Sequence, residues 1–201
     1  MLRKHFVAIG IAMATALLFA ATTQYPGGSQ HDKNAVGFNW QHNYLCNLLN
    51  EKAMNEMGNT AHPWAVAGMF FLCIAVAIFF IRFSKKIPHK SGTNAIKYAG
   101  AGAMIAAVFT ATSFHDSAIT ISGTLLLLSL FYIAVFVFKS RLRWLKIYSV
   151  ICLLVFCVCN YVYYTDTYLE WLPILQKVTL GMILVWILAL EYFTEREDFR
   201  P

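Results

Sequence analysis

The chain alternates between long apolar stretches and short polar gaps. Six stretches, approximately 6–23, 63–83, 95–114, 117–138, 145–164 and 169–193, carry almost no ionisable residues. An apolar run of about 18 residues or more is long enough to cross a bilayer core as a helix. The pattern therefore predicts an all-α bundle of six transmembrane helices in a single membrane domain, 1–201, with a long outer loop or lid over 24–62. Within that loop, Leu45, Leu48, Leu49 and Ala53 fall near helical spacing and predict a short amphipathic helix over 44–57. Pro63 and Pro173 suit first helical turns, where the missing N–H would be unpaired anyway.

The first stretch has features of a secretory signal: a basic start, an apolar middle and small residues at Ala20 and Ala21. Leu18 and Phe19 sit badly three residues before the two cuts this implies. It is read as the first transmembrane helix.

Charge then orients the bundle. With the N-terminus inside, the inner segments hold 13 of the 16 basic residues, from Arg3 and Lys4 to Arg196 and Arg200, and only Lys33, Lys52 and Lys177 remain outside. An excess of Lys and Arg marks the cytoplasmic side, which gives an N-in, C-in topology. The chain is 59% hydrophobic and only 13% charged, against about 25% for a soluble domain. Its net charge of +6 is thus read as attraction to anionic lipid head groups, with membrane lipids as partners and no nucleic acid. The five cysteines form no CxxC pair, and four lie in apolar stretches, where cysteine is a small hydrophobe; Cys46 alone lies in the polar loop.

Ionisable groups inside a membrane are costly and point to function. Lys177 lies about two turns into the last helix and Asp116 opens the fourth, so an outer Asp116–Lys177 ion pair is expected, with snorkelling of Lys177 to the interface as the alternative. His31, His42, His62 and His115 all fall on the outer side. His42, His62, His115 and Asp116 are the ligand types of a zinc site with an open position for water. No two of these histidines share a helix at ligand spacing, so helix-end and solvated roles are weighed against a metal.

Small residues at Gly100, Gly102, Ala103, Ala106, Ala107, Thr110, Gly123 and Thr124 allow close helix packing. They also allow a polar outer crevice lined by Ser113, Asp116, Thr120, Asn160 and Lys177. Tyr161, Tyr163, Tyr164, Tyr168 and Trp171 form an interfacial belt. No phosphate loop, GxSxG elbow or redox motif is present.

The strings Tyr25-Pro26-Gly27-Gly28-Ser29, Asn43-Tyr44-Leu45-Cys46-Asn47-Leu48-Leu49, Asn59-Thr60-Ala61-His62-Pro63 and Leu172-Pro173-Ile174-Leu175-Gln176-Lys177 resemble the domain-of-unknown-function 998 family. These are small bacterial multi-pass membrane proteins. The resemblance covers nearly the whole chain and implies a six-helix bundle in a bacterial inner (cytoplasmic) membrane, with no settled activity. Asn47 stands where the family has Asp.

The leading expectation is a protein that binds a lipid head group or small polar ligand in an outward pocket, without a cofactor. Asp116, Lys177, His115, His62, Asn43 and Asn160 are its binding candidates. The alternatives are a zinc-dependent membrane hydrolase acting on lipid, and a small transporter or accessory subunit. A large aqueous path would need a homo-oligomer, because six spans from 201 residues enclose little space.

Overall fold

Seven α-helices organise the computed structural model, which describes residues 2–199. They are α1 (Leu2–Gln24), α2 (His62–Ser84), α3 (Lys90–Asn94), α4 (Gly100–Val108), α5 (His115–Lys139), α6 (Arg143–Thr165) and α7 (Leu172–Phe193). Arg200 and the side chains of Arg3 and Lys4 lie outside the described residues. Among the described residues there is no strand; two isolated bridges, Gly27 with Val36 and Lys52 with Gly58, lie between α1 and α2.

Five helical segments are long and apolar enough to cross a membrane: His5–Gln24, His62–Ser84, His115–Lys139, Arg143–Thr165 and Leu169–Phe193. Their outward faces carry large apolar side chains such as Phe70, Phe138, Ile147, Leu154 and Val185. So much exposed apolar surface is a liability in water and an ordinary face in lipid.

The expected helix over 95–114 is not one helix. The chain coils through α3, a π segment (Ala95–Ala99), α4 and a 3-10 turn (Phe109–Ala111). A π segment widens the helical turn, so that its hydrogen bonds span five residues where the α-helix spans four. The carbonyl of Ile96, inside that segment, accepts a bond of 3.1 Å from the buried hydroxyl of Ser129 on α5. A tertiary partner thus supports the irregular backbone. One turn on, a Cβ added at Gly100 would lie 2.2 Å from the Phe80 ring, so only glycine lets α4 approach α2 this closely.

The helices neighbour one another in the order α1, α2, α4, α5, α6, α7, and α7 returns against α2 and α1. The main core runs through this ring, from Val7 and Phe79 to Leu130, Trp186 and Leu190. Trp186 donates its indole N–H to Ser149 at 2.9 Å, so the largest buried side chain has its polar atom paired.

One end of the bundle gathers both described chain ends. His5 Nδ1 lies 2.7 Å from the Tyr192 hydroxyl. Arg82 meets Glu191 at 2.8 Å. Lys86 donates to the carbonyls of Leu190, Glu191 and Thr194 at 2.8–3.3 Å, which caps the C-terminus of α7. Burial pulls the Lys86 amine below the ordinary lysine value.

Candidate functional site

The opposite end is covered by the 24–61 loop, and three buried asparagines give that loop its shape. Asn43 is fully buried. Its Oδ1 accepts the Asn39 N–H at 2.8 Å, and its Nδ2 donates to the Gly28 carbonyl at 2.8 Å. Asn47 Oδ1 accepts the Tyr44 N–H at 2.7 Å. Asn59 Nδ2 donates to the carbonyls of Asn47, Leu48 and Asn50 at 2.7–3.2 Å. Side-chain amides do here what a strand or helix partner does elsewhere.

They also explain why the amphipathic helix expected over 44–57 is absent. Only a 3-10 turn, Leu45–Leu49, forms. Asn59 takes up the carbonyls that would have continued it, and Glu56 turns left-handed at φ 65°. A second, smaller core of Tyr25, Leu48, Leu49, Ala53, Ala61 and Ala65 lies beneath. At Gly28, with φ of 80°, a side chain would collide with the backbone of Asn55 and Met54.

Lys177 fastens this loop to α7. Its Nζ donates to the carbonyls of Asn43 at 2.7 Å and Pro173 at 2.6 Å, and it stands 5.9 Å from the Phe38 ring centroid. It neither pairs with Asp116 nor snorkels away, which corrects the expected ion pair. Asp116 bonds its neighbour instead: its Oδ1 lies 3.0 Å from His115 Nδ1.

The other candidates separate. His62 donates Nδ1 to the Leu49 carbonyl at 2.7 Å. His42 stacks on His31, with centroids 4.9 Å apart. Asn160 donates to the Phe156 carbonyl of its own helix, and its Oδ1 faces Gly123. Ser113, Asp116 and Thr120 are exposed and do not wall a crevice with Lys177. Among the described residues, no three His, Cys, Asp or Glu side chains are grouped to hold a metal, so His42, His62, His115 and Asp116 do not converge.

Two arrangements at this end were not read from the sequence. The first is a groove of about 570 Å³ between the loop and the start of α7, lined among others by Gln30, His31, His42, Tyr44, Glu170 and Trp171. The second joins Cys46 to Gln176. Gln176 Nε2 lies 3.5 Å from Cys46 Sγ, while Gln176 Oε1 accepts the Leu45 N–H at 3.0 Å. That N–H fixes which end of the amide is oxygen and so aims Nε2 at the sulfur. The only sequence signal for this cluster is that Cys46 lies outside the apolar stretches.

The fold defines an all-helical protein whose five long apolar helices mark it as an integral membrane protein. No known family model matches the chain, and no curated protein or solved structure matches it.

Proposed function

We propose that the protein binds a lipid head group or a small polar ligand in the groove between its outer loop and α7. The observation that carries this reading is the lining itself. Stacked His31 and His42 supply imidazole nitrogens, Gln30 and Gln41 supply amides, and Tyr44 and Trp171 supply amphipathic aromatic surface. Such a mixture of aromatic walls and a few polar groups is what small-ligand sites use. Trp171 is 60% exposed and belongs to the aromatic belt, so the groove lies level with lipid head groups.

In this reading the chain crosses a bacterial inner membrane six times, N-in and C-in. The coil from α3 through the Phe109–Ala111 turn supplies the crossing between α2 and α5. The juxtaposed His5 and Tyr192 support an even number of crossings, because both chain ends then share one side. Lys85, Lys86, Lys139 and Arg143 fall at that same end of the antiparallel helices.

Native mass spectrometry of the gently solubilised protein tests the binding. A lipid or small solute should be retained at one per chain and lost in His42→Ala and Trp171→Ala. Retention unchanged in both variants would remove the groove as the site.

A further inference from the structure

We propose that the charged part of the groove's ligand is an organic ammonium, primary or quaternary as in ethanolamine or choline, held by Glu170, Trp171 and Tyr44. This deepens the binding reading above and rests on it.

Charge makes the first distinction between ligands. Counting histidine as neutral, the lining of the groove of about 570 Å³ carries one charge, the Glu170 carboxylate, while the whole chain carries +6. Neither Lys nor Arg is among the lining residues. Phosphate and carboxylate ligands are held by Arg forks and Lys ammonium groups. An anion entering here would meet a like charge and no counter-charge, whereas an ammonium meets its counter-charge.

Aromatic surface makes the second distinction. Tyr44 stands on the loop wall and Trp171 on the α7 wall, and Trp171 is 60% exposed, so a ligand can reach its ring. The π face of an aromatic ring attracts a cation, indole most strongly, and quaternary ammonium groups are recognised in this way. Leu169 and Ile174 add apolar lining, which suits methyl or methylene groups better than a hydrated phosphate. A carboxylate at a helix start also complements the helix dipole, so Glu170 alone would assign nothing. The assignment comes from the carboxylate, the aromatic pair and the missing cations together.

The backbone fixes these groups before a ligand arrives. Asp166 and Tyr168 take left-handed conformations at φ 53° and 58°, and the reversal they make brings Glu170 and Trp171, on the Leu169–Trp171 turn, to the groove. On either side of Tyr44, two bonds tie the loop to α7: Lys177 Nζ to the Asn43 carbonyl at 2.7 Å, and Leu45 N–H to Gln176 Oε1 at 3.0 Å. Walls already joined lose little freedom on binding. The Lys177 ammonium is spent on the carbonyls of Asn43 and Pro173, and Lys177 does not line the groove.

The test uses the full chain in dodecyl maltoside with choline as the soluble probe, at low salt and at pH 8, above the ordinary histidine range. Saturation-transfer NMR should show a saturable site. Choline should bind about tenfold tighter than 3,3-dimethylbutanol, which has the same shape without the charge. Trp171→Ala should remove that difference and Trp171→Phe should keep part of it. Glu170→Gln should weaken choline by about threefold at low salt and little at high salt. Both side chains are exposed, so the variants should fold, and thermal unfolding checks this. In a second arm, nanodiscs of phosphatidylcholine, phosphatidylethanolamine and phosphatidylglycerol are read by native mass spectrometry for retained lipid. An ammonium lipid retained over phosphatidylglycerol, and lost in Trp171→Ala, assigns the ammonium to a lipid head group. Choline binding without lipid selectivity assigns it to a free solute. Equal binding of choline and its neutral analogue together with no ammonium-lipid selectivity would overturn the proposal. So would a preference for phosphatidylglycerol or glycerol phosphate that Trp171→Ala abolishes, which leaves the groove standing as a ligand site. Retention unchanged in both His42→Ala and Trp171→Ala would remove the groove itself.

Discussion

Lys177 Nζ donates to the carbonyl of Asn43 at 2.7 Å, joining residues 134 positions apart. This bond turns an intramembrane lysine into a structural clamp. The ammonium is satisfied by the carbonyls of Asn43 and Pro173 and by the nearby face of Phe38, so it needs no carboxylate partner.

Replacing that lysine should loosen the loop before it loosens the bundle. Lys177→Met keeps the apolar stem and removes the donor. A hydrogen bond to a charged group is worth about 1.5–3 kcal/mol, and most of that should be lost. Limited proteolysis should then cut within 24–61 while the helices stay protected. A loop as resistant as the native one would show that the clamp contributes nothing.

Tyr25 carries a second prediction, for alkaline pH. Burial raises its hydroxyl above the model-compound value of 10.0, and its oxygen accepts the Met54 N–H at 3.0 Å. A raised folded pKa means that folding favours the neutral phenol. Its stabilising contribution is therefore complete below about 10 and is lost as pH rises through the folded pKa. The loop should become protease-sensitive in that alkaline window. Tyr25→Phe should be weaker at pH 7, because Met54 N loses its acceptor, yet show a shallower further loss on alkalinisation. An identical alkaline profile in both proteins would assign the sensitivity to other groups.

The contrast between bundle and loop explains what the sequence could reveal. The apolar stretches are local and continuous, so a window of residues suffices to place α1, α2, α5, α6 and α7. The helix over 95–114 breaks up in the structure because its support comes from Ser129, 33 residues from Ile96. Apolar spacing predicts a helix over 44–57 that does not form, because it says nothing of Asn59, whose amide reaches back 9–12 residues to three carbonyls. The site candidates suffered likewise. The sequence puts Asp116 and Lys177 near the same end of their helices, but position along a helix does not say which way each side chain turns. Cys46 and Gln176 lie 130 residues apart, and no local pattern links them.

Ser129 offers a direct probe of the irregular helix. Ser129→Ala leaves the Ile96 carbonyl without its side-chain donor. Interhelical polar contacts in membrane proteins are worth about 0.6 kcal/mol on average and up to about 1.7. The loss should lie near the upper end, because Ser129 is fully buried. Ser122→Ala is the control, since that hydroxyl bonds only the Ile119 carbonyl of its own helix. Unfolding in mixed micelles should separate the two variants. Equal effects would mean that the π segment needs no support from α5.

At the end of the bundle where His5 meets Tyr192, Arg82 and Glu191 should behave as a unit. Glu191 has a side chain only 7% exposed and meets Arg82 at 2.8 Å, while Arg82 is 35% exposed. Removing one partner of a buried pair costs about 3–5 kcal/mol, because a charge is left without compensation. Arg82→Met strands the more buried member, although neighbouring Lys86 softens the loss, so about 3 kcal/mol is expected. Glu191→Met strands the more exposed arginine, which can turn to water, and should cost less. The double variant should recover much of the Arg82→Met deficit, since two apolar side chains can fill the space without a desolvation penalty. A double-mutant cycle on thermal unfolding in nanodiscs measures this coupling. Additive single effects would show that the two groups are held in place independently.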